Sequence, residues 1–125
     1  MAQRPVRSRR ALALSTPQEL LNFAAEMATD TREVAGRAAS SRAYYAAFWH
    51  LRVVAISRFG PLEASGSEVH GELQSVIRLW DEELANKLKE LRIVRNVADY
   101  MAAVPFPVAR AVRSVATARE VLSAR

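Results

Sequence analysis

Cysteine is absent from the sequence, and histidine and glycine are scarce, with two and four residues. The lack of cysteine excludes disulfides, thiolate nucleophiles and cysteine-ligated zinc. Two imidazoles cannot form an all-histidine zinc site within one chain, and His50 and His70 are far apart in the sequence. No glycine-rich phosphate loop, His-Glu-x-x-His segment or EF-hand loop occurs. We therefore predict no metal site and no cofactor.

The charge is distributed unevenly along the chain. The 125 residues suffice for one domain, and their composition, 50% hydrophobic and 25% charged, is typical of globular proteins. The chain has 18 basic and 13 acidic residues, but four of the arginines lie in the first ten residues (Arg4, Arg7, Arg9, Arg10). We interpret residues 1–14 as a basic flexible arm that can contact phosphates. Residues 15–125 then form a single, nearly neutral domain, which is not typical of a DNA-coating protein.

The apolar segments are short. The apolar run that follows Arg10 stops after four residues, whereas the apolar region of a signal peptide needs about 7 to 15. The longest apolar-rich stretch, residues 43–56, contains His50 and Arg52 and is too short to cross a bilayer. We expect a cytoplasmic protein with no membrane partner.

Helical spacing of apolar residues occurs throughout, and no segment shows a convincing strand pattern. The expected boundaries are a helix start at Ser15-Thr16-Pro17, a second start capped by Asp30 or Thr31, an end at Phe59 before Gly60-Pro61, a third start at Ser67, a new start or kink at Asp81, and a last helix from about Pro107. Four or five helices with short connections predict an all-α, antiparallel up-and-down bundle.

Residues 43–56 are apolar on nearly every side of a helix. A helix of this kind lies at the centre of a structure. In a chain this small, four neighbouring helices can barely enclose it, so we expect part of its surface to contact a second subunit. The sequence therefore predicts a homodimer.

Two groups of polar residues could carry chemistry. On the central helix, Ser41, Tyr44, Tyr45 and Phe48 share one face, while Arg42 points to the side of Trp49. A pair of tyrosines on an apolar face is more often core than function. An arginine in such a helix is less easily explained, because burying a guanidinium costs several kcal/mol unless an anion meets it, of the order of the desolvation penalty.

The second group lies near the end of the fourth predicted helix. Arg92, Arg95, Asn96 and Asp99 fall within about 100° of one another, with Tyr100 at the margin. One interpretation is a solvated face with an Arg95–Asp99 pair worth about 0.3 kcal/mol. The other is an anion site, in which the fork of Arg95 holds a phosphate and Asp99 fixes its direction. The residues alone leave both open.

The segments Ser-Arg-Ala-Tyr-Tyr-Ala-Ala-Phe (41–48) and Arg-Asn-Val-Ala-Asp-Tyr (95–100) together resemble those of small prokaryotic members of the HEPN domain superfamily. The resemblance covers roughly residues 17–124. It implies a bundle of four or five helices that dimerises with both segments facing a shared cleft. It also implies a place in toxin–antitoxin or defence systems, often with a nucleotidyltransferase partner.

Many proteins of this superfamily are metal-independent ribonucleases with an arginine, a polar residue and a histidine four to six residues further on. Arg95 and Asn96 match the start of that signature, but Tyr100 stands at the histidine position. A tyrosine with a pKa near 10 exchanges protons at pH 7 far less readily than a histidine near 6.5. The tyrosine that partners modify in some members is Ala102 here. His70 is a second candidate for the proton carrier.

The sequence thus predicts an RNA- or nucleotide-binding cleft, with metal-independent endoribonuclease activity as a toxin left open. Two alternatives remain: a catalytically inactive partner of a nucleotidyltransferase, and a structural dimerisation bundle. The candidate catalytic residues are Arg95, Asn96, Asp99, Tyr100 and His70, and the candidate binding residues are Ser41, Arg42, Tyr45 and Arg92.

Overall fold

The computed structural model describes residues 15–125, and the predicted basic arm (1–14) lies outside them. The described residues form five helices and no strand: α1 (Pro17–Met27), α2 (Glu33–Phe59), α3 (Glu68–Trp80), α4 (Glu82–Tyr100) and α5 (Val108–Leu122). They pack as a helical bundle. The predicted all-α fold is confirmed.

Several helix boundaries lie where local chemistry predicted them. The Thr16 hydroxyl accepts a hydrogen bond from the Glu19 backbone N–H at 3.1 Å, and Pro17 follows it in the first turn. Gly60 ends α2 with a φ of 91°, a left-handed conformation that favours glycine. The Asp81 carboxylate accepts from the Leu84 N–H at 3.0 Å and starts α4. Asp81 therefore marks a new helix and not a kink.

The predicted cap of α2 is wrong by one or two residues. Arg32 is the N-cap, and its side chain makes no capping hydrogen bond. Asp30 instead accepts from the Arg32 backbone N–H at 2.9 Å and pairs with its guanidinium. The side-chain hydrogen bond from Arg32, and then its backbone N–H, lower the pKa of Asp30 to about 2. The carboxylate closes the turn that precedes the helix and does not cap its first N–H groups.

Helix α2 is the centre of the bundle, as its composition predicted, and it contacts each of the other four helices. Alanines at many of its buried positions let the neighbouring backbones approach closely, while Tyr44, Phe48 and Leu51 fill the space between them. Burial of a side chain such as Leu51 contributes about 1.5 to 3 kcal/mol. The enclosure is incomplete, because Val53 remains 67% exposed.

Among residues 15–125, no helix combines the length and the apolar character that crossing a membrane requires.

Candidate functional site

The guanidinium of Arg95 on α4 lies against α2. Its side chain is only 15% exposed. Its central carbon is 5.1 Å from the ring centre of Tyr45, 5.2 Å from that of Tyr100 and 6.0 Å from that of Tyr44. Cations at such distances from aromatic faces are attracted by the ring quadrupole. The position of Arg95 is therefore not that of a solvated outer face.

The polar atoms of the same guanidinium are engaged by its neighbours. Nη2 donates to the hydroxyl of Tyr45 at 2.7 Å and to that of Tyr100 at 3.3 Å, and Nη1 donates to Oδ1 of Asn96 at 3.1 Å. Nε lies 2.9 Å from Oδ2 of Asp99, but its N–H is poorly directed at that oxygen. The Arg95–Asp99 contact is therefore mainly a Coulombic ion pair, because a bent hydrogen bond is weak.

A second polar contact joins α2 to Asp99. The hydroxyl of Ser41, which is buried, donates to Oδ2 of Asp99 at 3.1 Å. Asp99 thus receives one contact from each helix and holds the guanidinium in a fixed direction. We call these contacting residues the Arg95 cluster: Ser41, Tyr45, Arg95, Asn96, Asp99 and Tyr100.

His70, in the first turn of α3, packs against Tyr44 and Tyr45 of α2. Its Nδ1 is 2.5 Å from the hydroxyl of Tyr44, and its ring stacks on Phe48 with centres 4.5 Å apart. Burial, opposed by the charges of Arg92 and Arg95, raises the pKa of Tyr44 to about 12, so its hydroxyl keeps its proton at pH 7. Since Nδ1 is engaged, Nε2 is the ring nitrogen of His70 that remains for another partner.

The electrostatic potential around His70 is positive. Burial lowers the pKa of His70 below its usual 6.5, and the charges of Arg92 and Arg95 lower it further. Arg92 is half-buried. Arg92 and Arg95 both act on His70, whereas the one carboxylate in the cluster, Asp99, pairs with Arg95, so the region retains a net positive charge. His70 is therefore neutral at pH 7 in a setting that attracts anions.

Arg42 points away from the cluster, as its helical position predicted. It is exposed and lines a groove of about 310 Å³ together with Leu20, Tyr45 and Trp49. The desolvation cost considered for this residue does not arise, because its guanidinium meets solvent. Of the candidate residues, the structure joins six directly, brings His70 close through Tyr44, places Arg92 as a nearby charge, and leaves Arg42 on the far side of Tyr45.

Sequence reasoning missed two residues that organise this region. Tyr44 is fully buried in the core, as predicted, and it also links His70 to the ring cluster around Arg95. Arg37, on α2, donates to backbone carbonyls at the end of α4 and just beyond it: those of Val97, Ala98, Met101, Ala102 and Val104. The only local signal for Arg37 is its i,i+4 spacing from Glu33, with which it forms an ion pair at 3.1 Å.

Within the described part of the chain, no group of three or more histidine, aspartate or glutamate side chains is placed to hold a metal ion. Comparison with known proteins finds no matching family model, no matching curated protein and no matching solved structure. The likeness to the HEPN superfamily therefore stays a prediction from the two sequence segments.

Proposed function

We propose that the chain binds RNA or a nucleotide through a phosphate group at the Arg95 cluster. The observation that carries this proposal is the placement of Arg95, which is largely buried between two tyrosine rings and directed by Asp99. A guanidinium fork matches the oxygens of a phosphate in a bidentate manner. Its orientation is already fixed here, so little side-chain entropy is lost on binding.

Binding requires an exchange of partners. The hydroxyls of Tyr45 and Tyr100 now accept from Nη2, and a phosphate oxygen would take their place. Tyr100 is 71% exposed and lies at the open side of the cluster, so it can move aside. Arg92 supplies a second positive charge nearby. This combination favours a dianion or a polyanion over a neutral ligand.

A second candidate function is metal-independent cleavage of RNA, and the position of His70 favours it. In this reaction the 2′-oxygen bonds to the adjacent phosphorus while the bond from phosphorus to the 5′-oxygen breaks. When Nδ1–H of His70 donates to Tyr44, Nε2 carries the lone pair that takes the 2′-hydroxyl proton. The hydroxyl of Tyr100 supplies a proton to the leaving oxygen, and Arg95 stabilises the negative charge on the non-bridging phosphate oxygens.

The test uses structured RNA in the presence of EDTA, with the full chain. We expect RNA to bind, and Arg95→Ala to weaken binding roughly tenfold or more, because a charged hydrogen-bond donor is lost. Arg119→Ala on the exposed face of α5 is the matched control for the loss of one positive charge. Intact affinity in Arg95→Ala, with normal thermal unfolding, contradicts the proposal.

His70→Gln separates binding from cleavage. A variant that binds RNA normally but no longer yields products with a cyclic phosphate and a free 5′-hydroxyl supports the nuclease. Binding without cleavage by the unmodified chain supports the catalytically inactive module, which acts as partner of a nucleotidyltransferase. Absence of RNA or nucleotide binding leaves the structural bundle as the better interpretation.

The partners belong to the same proposal. A homodimer is supported by the exposed apolar side chains of Val53 and Ile56 on the central helix α2. Membership of a toxin–antitoxin system, with a nucleotidyltransferase as antitoxin, rests on the sequence resemblance alone.

A further inference from the structure

We propose that the groove lined by Leu20, Arg42, Tyr45 and Trp49 binds a nucleobase of the ligand whose phosphate lies at the Arg95 cluster. This inference rests on the proposed function and narrows its ligand. Full affinity then requires a nucleotide with an unpaired, accessible base. Inorganic phosphate, or RNA whose bases are all paired, binds more weakly. We call this feature the Trp49 groove.

The Trp49 groove has the size and composition of a site for a flat aromatic group. Its volume, about 310 Å³, lies at the lower end of the range for small-ligand pockets, roughly 300 to 1,000 Å³. Arg42, Tyr45 and Trp49 follow one another at spacings of three and four residues, so they share one face of α2. Trp49 is 39% exposed although it is the largest side chain of the helix. Aromatic faces of this kind stack on bases with little sequence preference.

The Trp49 groove is continuous with the Arg95 cluster through one side chain. The ring of Tyr45 lines the groove, and its hydroxyl accepts from Nη2 of Arg95 at 2.7 Å. The central carbon of Arg95 is 5.1 Å from the centre of that ring. A base in the groove and a phosphate at Arg95 are thus separated by about one phenol ring, which a single nucleotide unit can span.

Charge fixes the direction in which such a ligand lies. Arg42 borders the groove and has no hydrogen-bond or ion-pair partner among residues 15–125. Beyond Trp49 the surface continues as a second hollow that contains Glu19 and Phe23, and this carboxylate repels a phosphate. The phosphate therefore lies toward Arg95 and away from Glu19, while Arg42 adds a positive charge at the edge of the groove. A second copy docked through this same face would bring an equally positive surface to the groove, so the charges favour an anionic occupant over that arrangement.

The experiment compares a short single-stranded RNA with an oligomer of the same length in which the bases are removed, using the full chain. We expect Trp49→Ala to weaken binding of the intact RNA about tenfold, within the range known for loss of one stacking side chain. Binding of the abasic oligomer should not change. Trp49→Phe should retain most of the affinity, and Leu79→Ala, which removes an exposed apolar side chain on α3, should have no effect.

A fluorescence readout reports on the groove directly. In a Trp80→Phe background, Trp49 is the single tryptophan, since the sequence has two. Trp80 lies elsewhere, against Phe59 and Arg58. Quenching of Trp49 by the intact RNA, without quenching by the abasic oligomer, supports the proposal.

The two proposals fail in different ways. If Arg95→Ala weakens RNA binding but Trp49→Ala does not, or Trp49→Ala weakens both oligomers equally, the nucleobase site is overturned and the phosphate site stands. If Trp49→Ala changes the oligomeric state in sedimentation and leaves RNA affinity intact, the groove holds a second copy and the inference is wrong. If the unmodified chain binds neither oligomer, both proposals are overturned.

Discussion

Arg95 shows how one residue obtains a fixed orientation from several weak contacts. Each cation–π contact contributes about 0.5 to 2 kcal/mol, and each hydrogen bond from the charged guanidinium about 1.5 to 3 kcal/mol. Together they come from both α2 and α4 and point the fork in one direction. The i,i+4 pair with Asp99 could be predicted from spacing alone. The contact with Tyr45 could not, because the two residues are 50 positions apart and no pattern encodes how two helices face one another.

His70 should make stability depend on pH in one direction. Its pKa in the folded chain is lowered by burial and by Arg92 and Arg95, whereas the unfolded chain has the usual value near 6.5. Above that value the residue is neutral in both states and contributes nothing. As the pH falls through 6.5, the unfolded chain binds the proton first, so the free energy of unfolding decreases until the lower folded pKa is passed.

The measurement is urea unfolding at pH 8 and pH 5.5. We expect the unmodified chain to lose more stability between these values than His70→Gln does, because the variant lacks the titrating ring. Equal losses in the two proteins would show that His70 titrates alike in the folded and unfolded states, contrary to its position beside two guanidiniums.

At the level of elements, the end of α4 depends on a side chain from α2. The last carbonyls of a helix have no intrahelical partner and carry partial negative charge. Arg37 donates to the carbonyl of Ala98 at 3.1 Å, and also to those of Val97 at 3.1 Å and Met101 at 3.2 Å, which each accept a backbone N–H as well. Its side chain is only 13% exposed. Arg37 thus fixes the position of α4 just where the helix presents Asp99 and Tyr100.

Arg37→Met should therefore destabilise the fold by about 2 kcal/mol, since charged hydrogen bonds to several carbonyls are lost. Arg113→Met is the matched control, because Arg113 is exposed and, among residues 15–125, pairs only with Glu90 at the surface. Such surface pairs contribute about 0 to 1 kcal/mol. Urea unfolding measures both, and amide exchange of residues 101–106 should accelerate only in the Arg37 variant. Equal effects of the two changes would contradict the role given to Arg37.

The boundaries of the elements were predictable where a single residue determines them. Gly60 and Asp81 act through their own conformation or side chain, and the structure confirms both. The start of α2 was not, because Asp30 and Thr31 are equally good caps by composition. Neither caps the helix, because Asp30 forms a turn with Arg32 and the helix begins after Arg32. The central place of α2 followed from its composition, since an apolar helix must be enclosed.

For the molecule as a whole, most of the net charge of +5 comes from the four arginines in the first ten residues. Residues 15–125 hold 14 basic and 13 acidic residues, and the four remaining arginines lie in residues 1–14. A near-neutral body with a locally positive cluster should bind RNA through few phosphate contacts. The arginines of the first ten residues would add sequence-independent contacts.

Salt dependence separates these contributions. For single-stranded RNA, two arginine contacts (Arg92 and Arg95) give a slope of log K against log salt of about −1.4. Four further arginine contacts make the slope steeper, about −4. We expect the steeper slope for the unmodified chain and the shallower one when the four arginines of residues 1–10 are replaced by glutamine. The measurement is the affinity for RNA between roughly 50 and 300 mM salt, a range over which phosphate contacts change affinity strongly. Identical slopes would show that the first ten residues do not contact RNA.

Helix α2 is a single uninterrupted rod of 27 residues, about 40 Å long. Arg37, which holds the end of α4, and Ser41, which donates to Asp99, both lie on this helix. So do Tyr44, Tyr45 and Trp49. Inserting or deleting one residue between Arg37 and Trp49 would turn everything beyond it by about 100°. The length of this stretch is therefore a fixed dimension of the molecule, and variation in chain length is better tolerated in the connection 60–67, which contributes no residue to these contacts.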